Sequence, residues 1–110
     1  MIVSTGTTPN PTAGGSPASS QELSAQVVGR VQGVGFRYYV QTAARRLGVT
    51  GWVKNERDGS VRVVAIGDDI RLKQLLHALH TGPSLAAVQN VSYEVSAATS
   101  TYPAFVIVHE

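Results

Sequence analysis

An α+β fold, two helices on one face of an antiparallel sheet, is predicted for this chain by three observations. Between residues 22 and 108 the apolar spacing switches between the two-residue period of strands and the 3.6-residue period of helices, in the order β-α-β-β-α-β with one further strand at the end. The pair Asp58-Gly59 stands between two β-rich runs and signals a tight hairpin. Each helical run closes on a glycine, Gly48 or Gly82, the second followed by a proline. This order is the split β-α-β, ferredoxin-like sandwich.

The elements follow in turn. Residues 22–30 alternate as a strand, with Leu23, Ala25 and Val27 on one face and Val28 on the other, and a glycine-rich loop ends it. Phe36, Val40, Ala43, Ala44 and Leu47 recur at helical spacing, so the first helix runs from Phe36 to the stop at Gly48. Val49–Lys54 is β-rich and leads through Asp58-Gly59 into Val61–Ile66. Asp68 and Asp69 suit a helix N-terminus, and Leu72, Leu75, Leu76 and Leu79 give the second amphipathic helix, stopped by Gly82-Pro83. Strands around 86–96 and 104–108 complete the order.

Fourteen of the first twenty residues are Gly, Pro, Ser or Thr and none of the twenty is charged, so residues 1–21 are expected to be a flexible tail preceding a domain over 22–110. The remaining composition bounds the function. Formal charge is only +2, and nine basic residues are scattered among seven acidic ones, with only Arg45-Arg46 adjacent, so no stripe for nucleic acid is present. With no cysteine, disulfides, thiolate metal sites and a cysteine-nucleophile phosphatase are chemically excluded. No apolar run reaches the ~20 residues that span a bilayer, and a secretory start is missing, so no membrane partner and a cytoplasmic location are expected. Without a heptad or apolar surface stripe, a monomer is expected.

The run Gly29-Arg30-Val31-Gln32-Gly33-Val34-Gly35-Phe36-Arg37 carries the chemistry. A glycine-rich turn lets successive backbone N–H groups point inward, and the helix that follows adds unpaired donors and about half a positive charge. Together they form an anion site, with phosphate the natural guest. Arg37 adds a permanently charged fork matching a phosphoryl group bidentately. The first two strands are joined by a right-handed helical crossover and therefore run parallel, so both end at one edge of the sheet. Asn55 lies at that edge, and Arg37, in the first turn, leans back over the loop. An arginine, a nest of amides and an asparagine can converge there.

Such a site holds donors and one amide but no nucleophile and base. It suits a substrate whose leaving group is already good, and a carboxyl phosphate is one, because a departing carboxylate needs little protonation. Arg37 and the loop amides can hold the phosphoryl oxygens, and Asn55 can orient a water.

These residues closely resemble the acylphosphatase family. The resemblance rests on Gly29–Arg37, then Leu47-Gly48, Gly51-Trp52-Val53-Lys54-Asn55 and Asp58-Gly59-Ser60-Val61, and continues through Gly82-Pro83 and Ala87-Val88 to Phe105-Val106-Ile107. It covers about residues 22–109. It implies hydrolysis of the carboxyl-phosphate bond of a small acyl phosphate to carboxylate and inorganic phosphate, with no metal or other cofactor. It also implies that Arg37 holds the phosphate, Asn55 positions the water, and the amides of Gln32, Gly33, Val34, Gly35 and Phe36 form the cradle. Ser84 stands where many members carry a second proline, and the tail lies outside the family pattern. A related domain begins a larger hydrogenase-maturation protein that handles carbamoyl phosphate; with the chain ending at Glu110, no carbamoyl-transfer domains are expected here.

Bland readings suit the remaining candidates. His77 and His80 are three apart on the second helix and read as surface histidines, because no third ligand is suggested. His109 reads as an unremarkable terminal residue, Arg30 as an exposed strand end, and Asp58 as a turn residue. Trp52 and Phe36 read as core anchors, and Tyr38 and Tyr39 chiefly as packing residues. Gly51 marks either a close backbone approach or a bulge. The competing function is a non-catalytic anion-binding or regulatory module; RNA recognition is disfavoured because Val61–Ile66 carries no aromatic.

Overall fold

The computed structural model describes residues 20–109. Seven elements follow in chain order: β1 (Gln21–Arg30), α1 (Phe36–Leu47), β2 (Thr50–Asn55), β3 (Val61–Gly67), α2 (Asp69–Thr81), β4 (Ala87–Ala97) and β5 (Phe105–Val108). Two helices pack on a five-stranded sheet of order β4-β1-β3-β2-β5, the α+β arrangement expected. The tail expected at 1–21 lies outside the described residues as far as residue 19. Gln21 is already strand, opposite Gly67 and Ala97.

The sheet is mixed rather than wholly antiparallel, which corrects one expectation. β1 is antiparallel to both β3 and β4, and β2 to β3, but β2 and β5 run parallel. The reason lies in the connection. β4 runs opposite to β1, and therefore to β2, so it ends where β2 begins. The chain then crosses at 98–104 to the far edge, and reversing there makes β5 run with β2.

Alternation decides which strand residues are buried. Leu23, Ala25 and Val27 of β1 and Val61, Val63 and Ala65 of β3 face Phe36, Val40, Ala43 and Ala44 of α1 and Leu72, Leu75 and Leu79 of α2. Each large apolar side chain so enclosed contributes about 1.5–3 kcal/mol. Phe36 is a core anchor as expected, its ring 5.9 Å from that of Tyr39. Trp52 is not. It is half-buried on the helix-free face, opposite Val64 and Val106, because its neighbours Gly51 and Val53 take the inward positions of β2.

Local chemistry fixes both helices. α1 ends in a Schellman arrangement, in which the N–H of Gly48 donates to the Arg45 carbonyl (3.2 Å) and that of buried Val49 to Ala44 (3.1 Å). In α2 the Asp68 carboxylate caps the first turn, accepting from the Arg71 N–H at 2.8 Å and from its guanidinium at 2.8 Å. The β2–β3 hairpin is held by Asp58, whose carboxylate accepts from the Ser60 hydroxyl (2.6 Å) and N–H (2.9 Å). The Ser60 hydroxyl bond is the main cause holding the Asp58 carboxyl below its ordinary range, and the Ser60 N–H adds to it. Asp58 is a turn residue, as read.

Gly51 marks a close approach. Both ladders pass it without a register shift, its φ is +141°, and a Cβ there would fall on the Val64 carbonyl. Gly51→Ala is expected to cost more than about 2 kcal/mol, from backbone strain plus an unavoidable clash. The check is urea unfolding, with a lower midpoint at an unchanged slope. Among the described residues no helix is long and apolar enough to cross a membrane.

Candidate active site

The loop between β1 and α1 is held from below. Val31 is buried and Val34 packs against the core, fixing the backbone at two points. The Gln32 side chain supplies a third anchor, its amide donating to the carbonyls of Glu56 (2.8 Å) and Ser60 (2.9 Å) and tying the loop to the β2–β3 hairpin. Gly33, between these anchors, and Gly35, between Val34 and buried Phe36, are exposed, with φ of +76° and +80°. Nothing lies within 4 Å of a Cβ at either, so glycine is required for backbone conformation and not for space.

The second of these turns launches the helix. The Gly35 carbonyl accepts the first intrahelical bond, from Tyr39 at 3.0 Å, and no side chain caps this end. The N–H groups of Phe36, Arg37 and Tyr38 consequently have no acceptor within the helix and point outward with the positive end of its dipole. α1 also carries no acidic residue in its first turn. An anion is the electrostatic complement of such a terminus.

Arg37 and Asn55 reach the same place. A cavity of about 170 Å³ is lined by Gly33, Gly35, Phe36, Arg37 and Asn55, with Val31, Tyr38, Ile107 and His109. It is smaller than the ~300–1,000 Å³ typical of a drug-sized ligand, and it suits a compact anion. No carboxylate is among its lining residues, so an entering anion meets no like charge. Asn55, the last residue of β2, has its Oδ1 buried with no hydrogen-bond partner among the described residues. Buried acceptors are rarely left so, because desolvation costs about 1–3 kcal/mol.

Arg37 is half-buried, its guanidinium 3.4 Å from Nδ1 of His109. His109 is the residue that sequence reasoning missed. Read as a chain-end residue, it is carried to the cavity because β5 runs parallel to β2, with Lys54 opposite Val108 in the ladder and His109 one step further, at the level of Asn55. An antiparallel β5 would have placed it at the opposite end of the sheet. Tyr38, a residue 70% exposed, lines the cavity, whereas the Tyr39 hydroxyl donates to the Ala78 carbonyl at 2.9 Å. Gln32 and Val34 are the loop positions not among the lining residues; their side chains serve as anchors.

The other candidates lie elsewhere. His77 and His80 are exposed on α2, with His80 Nδ1 3.1 Å from the Leu76 carbonyl. Arg30 is exposed at the strand end. A wider depression of about 670 Å³ along Lys54–Asp58 mixes two cations with two carboxylates and includes no helix N-terminus, so it makes a poor anion site.

The family model described as Acylphosphatase matches residues 23–107. The curated acylphosphatase of Salinibacter ruber is 47% identical over 87 residues, covering 79% of this chain and 92% of that protein. The crystal structure of acylphosphatase from Bacillus subtilis superposes with a TM-score of 0.78 at 38% identity, covering 80% of this chain and 98% of that one. The structure of an acylphosphatase from Coxiella burnetii gives 0.77, also at 38% identity, covering 82% and 94%.

Proposed function

The chain belongs to the acylphosphatase family, and on that premise we propose that it hydrolyses the carboxyl-phosphate bond of small acyl phosphates, with Arg37 and the loop amides as the phosphate clamp and Asn55 as the water-positioning group. One observation carries the assignment of roles. A helix N-terminus opened by glycine turns, a half-buried arginine and Asn55, whose amide oxygen has no partner among the described residues, all line one anion-sized cavity.

The chemistry follows from those groups. The N–H groups from Gln32 to Phe36 and the Arg37 fork receive the phosphoryl oxygens, where charge builds as the bond to the leaving group lengthens. Asn55 Oδ1 accepts a hydrogen bond from a water and turns its lone pair toward phosphorus. Attack forms the new P–O bond while the old one breaks, and its electron pair leaves on the carboxylate oxygen. A carboxylate is weakly basic and departs without a proton donor, and the proton lost by the water passes to a phosphoryl oxygen. The products are a carboxylate and inorganic phosphate. No step requires a general base, a metal or another cofactor.

The direct test is the rate of benzoyl phosphate hydrolysis in the presence of a metal chelator. Turnover at an undiminished rate is the expected result. Folded protein that binds inorganic phosphate yet leaves benzoyl phosphate intact would indicate a non-catalytic anion-binding module instead.

A further inference from the structure

A second concavity opens beside the phosphate cavity and shares two of its residues. It is a groove of about 350 Å³ between α1 and the end of α2, and Gly35 and Tyr38 line both spaces. From Tyr38 the groove follows one face of α1 past Thr42 to Arg46, with Ala78 and Pro83 on the opposite side. Positions 38, 42 and 46 are four apart and so form a single row, about 12 Å long at 1.5 Å per residue. We infer that this groove receives the acyl group of the substrate, and that Arg46 at its far end selects acyl phosphates carrying a second anionic group, a carboxylate, at the distal end of a short chain.

Three features support that occupant. The groove is continuous with the site through Tyr38, an exposed residue that lines both and offers its ring as an apolar surface to a chain leaving the phosphate. The wall is fixed, because the Tyr39 hydroxyl bonded to the Ala78 carbonyl ties α1 to α2. Its charge is one-sided: no acidic residue is among the lining, and Arg46 makes no hydrogen bond or ion pair among the described residues. The neighbouring Arg45 differs, its Nε donating to the Phe105 carbonyl at 3.2 Å. Helical side chains lean toward the N-terminus, so Arg46 extends toward the phosphate site and shortens the span that a substrate must bridge.

The inference rests on the proposed hydrolysis, and two measurements separate their failures. In the first, kcat/KM is compared for acetyl phosphate, butyryl phosphate and the monophosphate of glutaric acid, in wild type and in Arg46→Ala and Arg46→Glu. Wild type is expected to favour the glutaric over the butyryl compound by about fivefold, carried in KM and reduced by added salt, as for a partly exposed ion pair. Arg46→Ala removes the preference and Arg46→Glu reverses it, while acetyl phosphate is turned over equally by all three.

In the second, 6-phosphonohexanoate and hexylphosphonate, which match the phosphorus-to-terminal-carbon span of the glutaric compound, are titrated calorimetrically, which requires no turnover. Tighter binding of the carboxylated compound by wild type, lost in Arg46→Ala, supports the groove even if acetyl phosphate is not hydrolysed, and the failure then belongs to the hydrolase reading. Rapid acetyl phosphate turnover without discrimination between the chains, or a preference that survives in Arg46→Ala, would overturn the inference.

Discussion

Arg37→Ala is expected to lose about 10³-fold in kcat/KM on benzoyl phosphate while keeping its fold. The magnitude is that of deleting one preorganised donor aimed at charge developing in the transition state. Arg37 also faces the ground-state phosphate, so its loss should weaken competitive inhibition by inorganic phosphate as well, moving KM and kcat together. Little stability should follow it. The side chain is half-buried, and its bond to His109 is long, at 3.4 Å. Arg37→Lys should recover only part of the loss, because an ammonium keeps the charge without the planar fork that holds two phosphoryl oxygens. Steady-state kinetics, phosphate inhibition and thermal midpoints on both variants check this. Wild-type phosphate affinity in Arg37→Ala would remove the arginine from the clamp.

The parts of this molecule that depend on local periodicity are legible in the sequence alone. The stripe Phe36-Val40-Ala43-Ala44-Leu47, the Asp58-Gly59 hairpin and the Asp68 cap each declare themselves within a few residues of chain, and each is found where expected. The meeting of Arg37 with Asn55 was legible for a different reason. A β-α-β crossover has one hand, so both strand ends must share an edge. What was illegible depends on contacts between distant segments. The direction of β5 is set by the crossing at 98–104, and with it the arrival of His109 beside Arg37. Trp52 misled through its size, although the two-residue alternation with Val53 already turned it away from the helices. The groove ending at Arg46 has no sequence signature, because it exists only where α1 and α2 separate.

Asn55→Ala should behave differently from the arginine variant, and the contrast is the strongest test of the division of roles. If Asn55 acts on the water and not on the phosphate, kcat should fall by about 10²–10³-fold with inhibition by inorganic phosphate unchanged, as for an interaction made chiefly in the transition state. Stability adds a second, independent sign. Its Oδ1 has no hydrogen-bond partner among the described residues, so removing the amide breaks no hydrogen bond that holds the fold. Deleting the amide forfeits only local packing, so the variant should unfold within about 1 kcal/mol of wild type, where a residue kept for structure would lower the midpoint further. Urea unfolding measured beside the kinetics reads both signs on one preparation. A variant that lost stability and phosphate affinity together, with its remaining turnover following occupancy, would make Asn55 a structural part of the clamp. A variant that is stable, binds phosphate and turns over slowly identifies an acceptor kept for the attacking water and not for the fold.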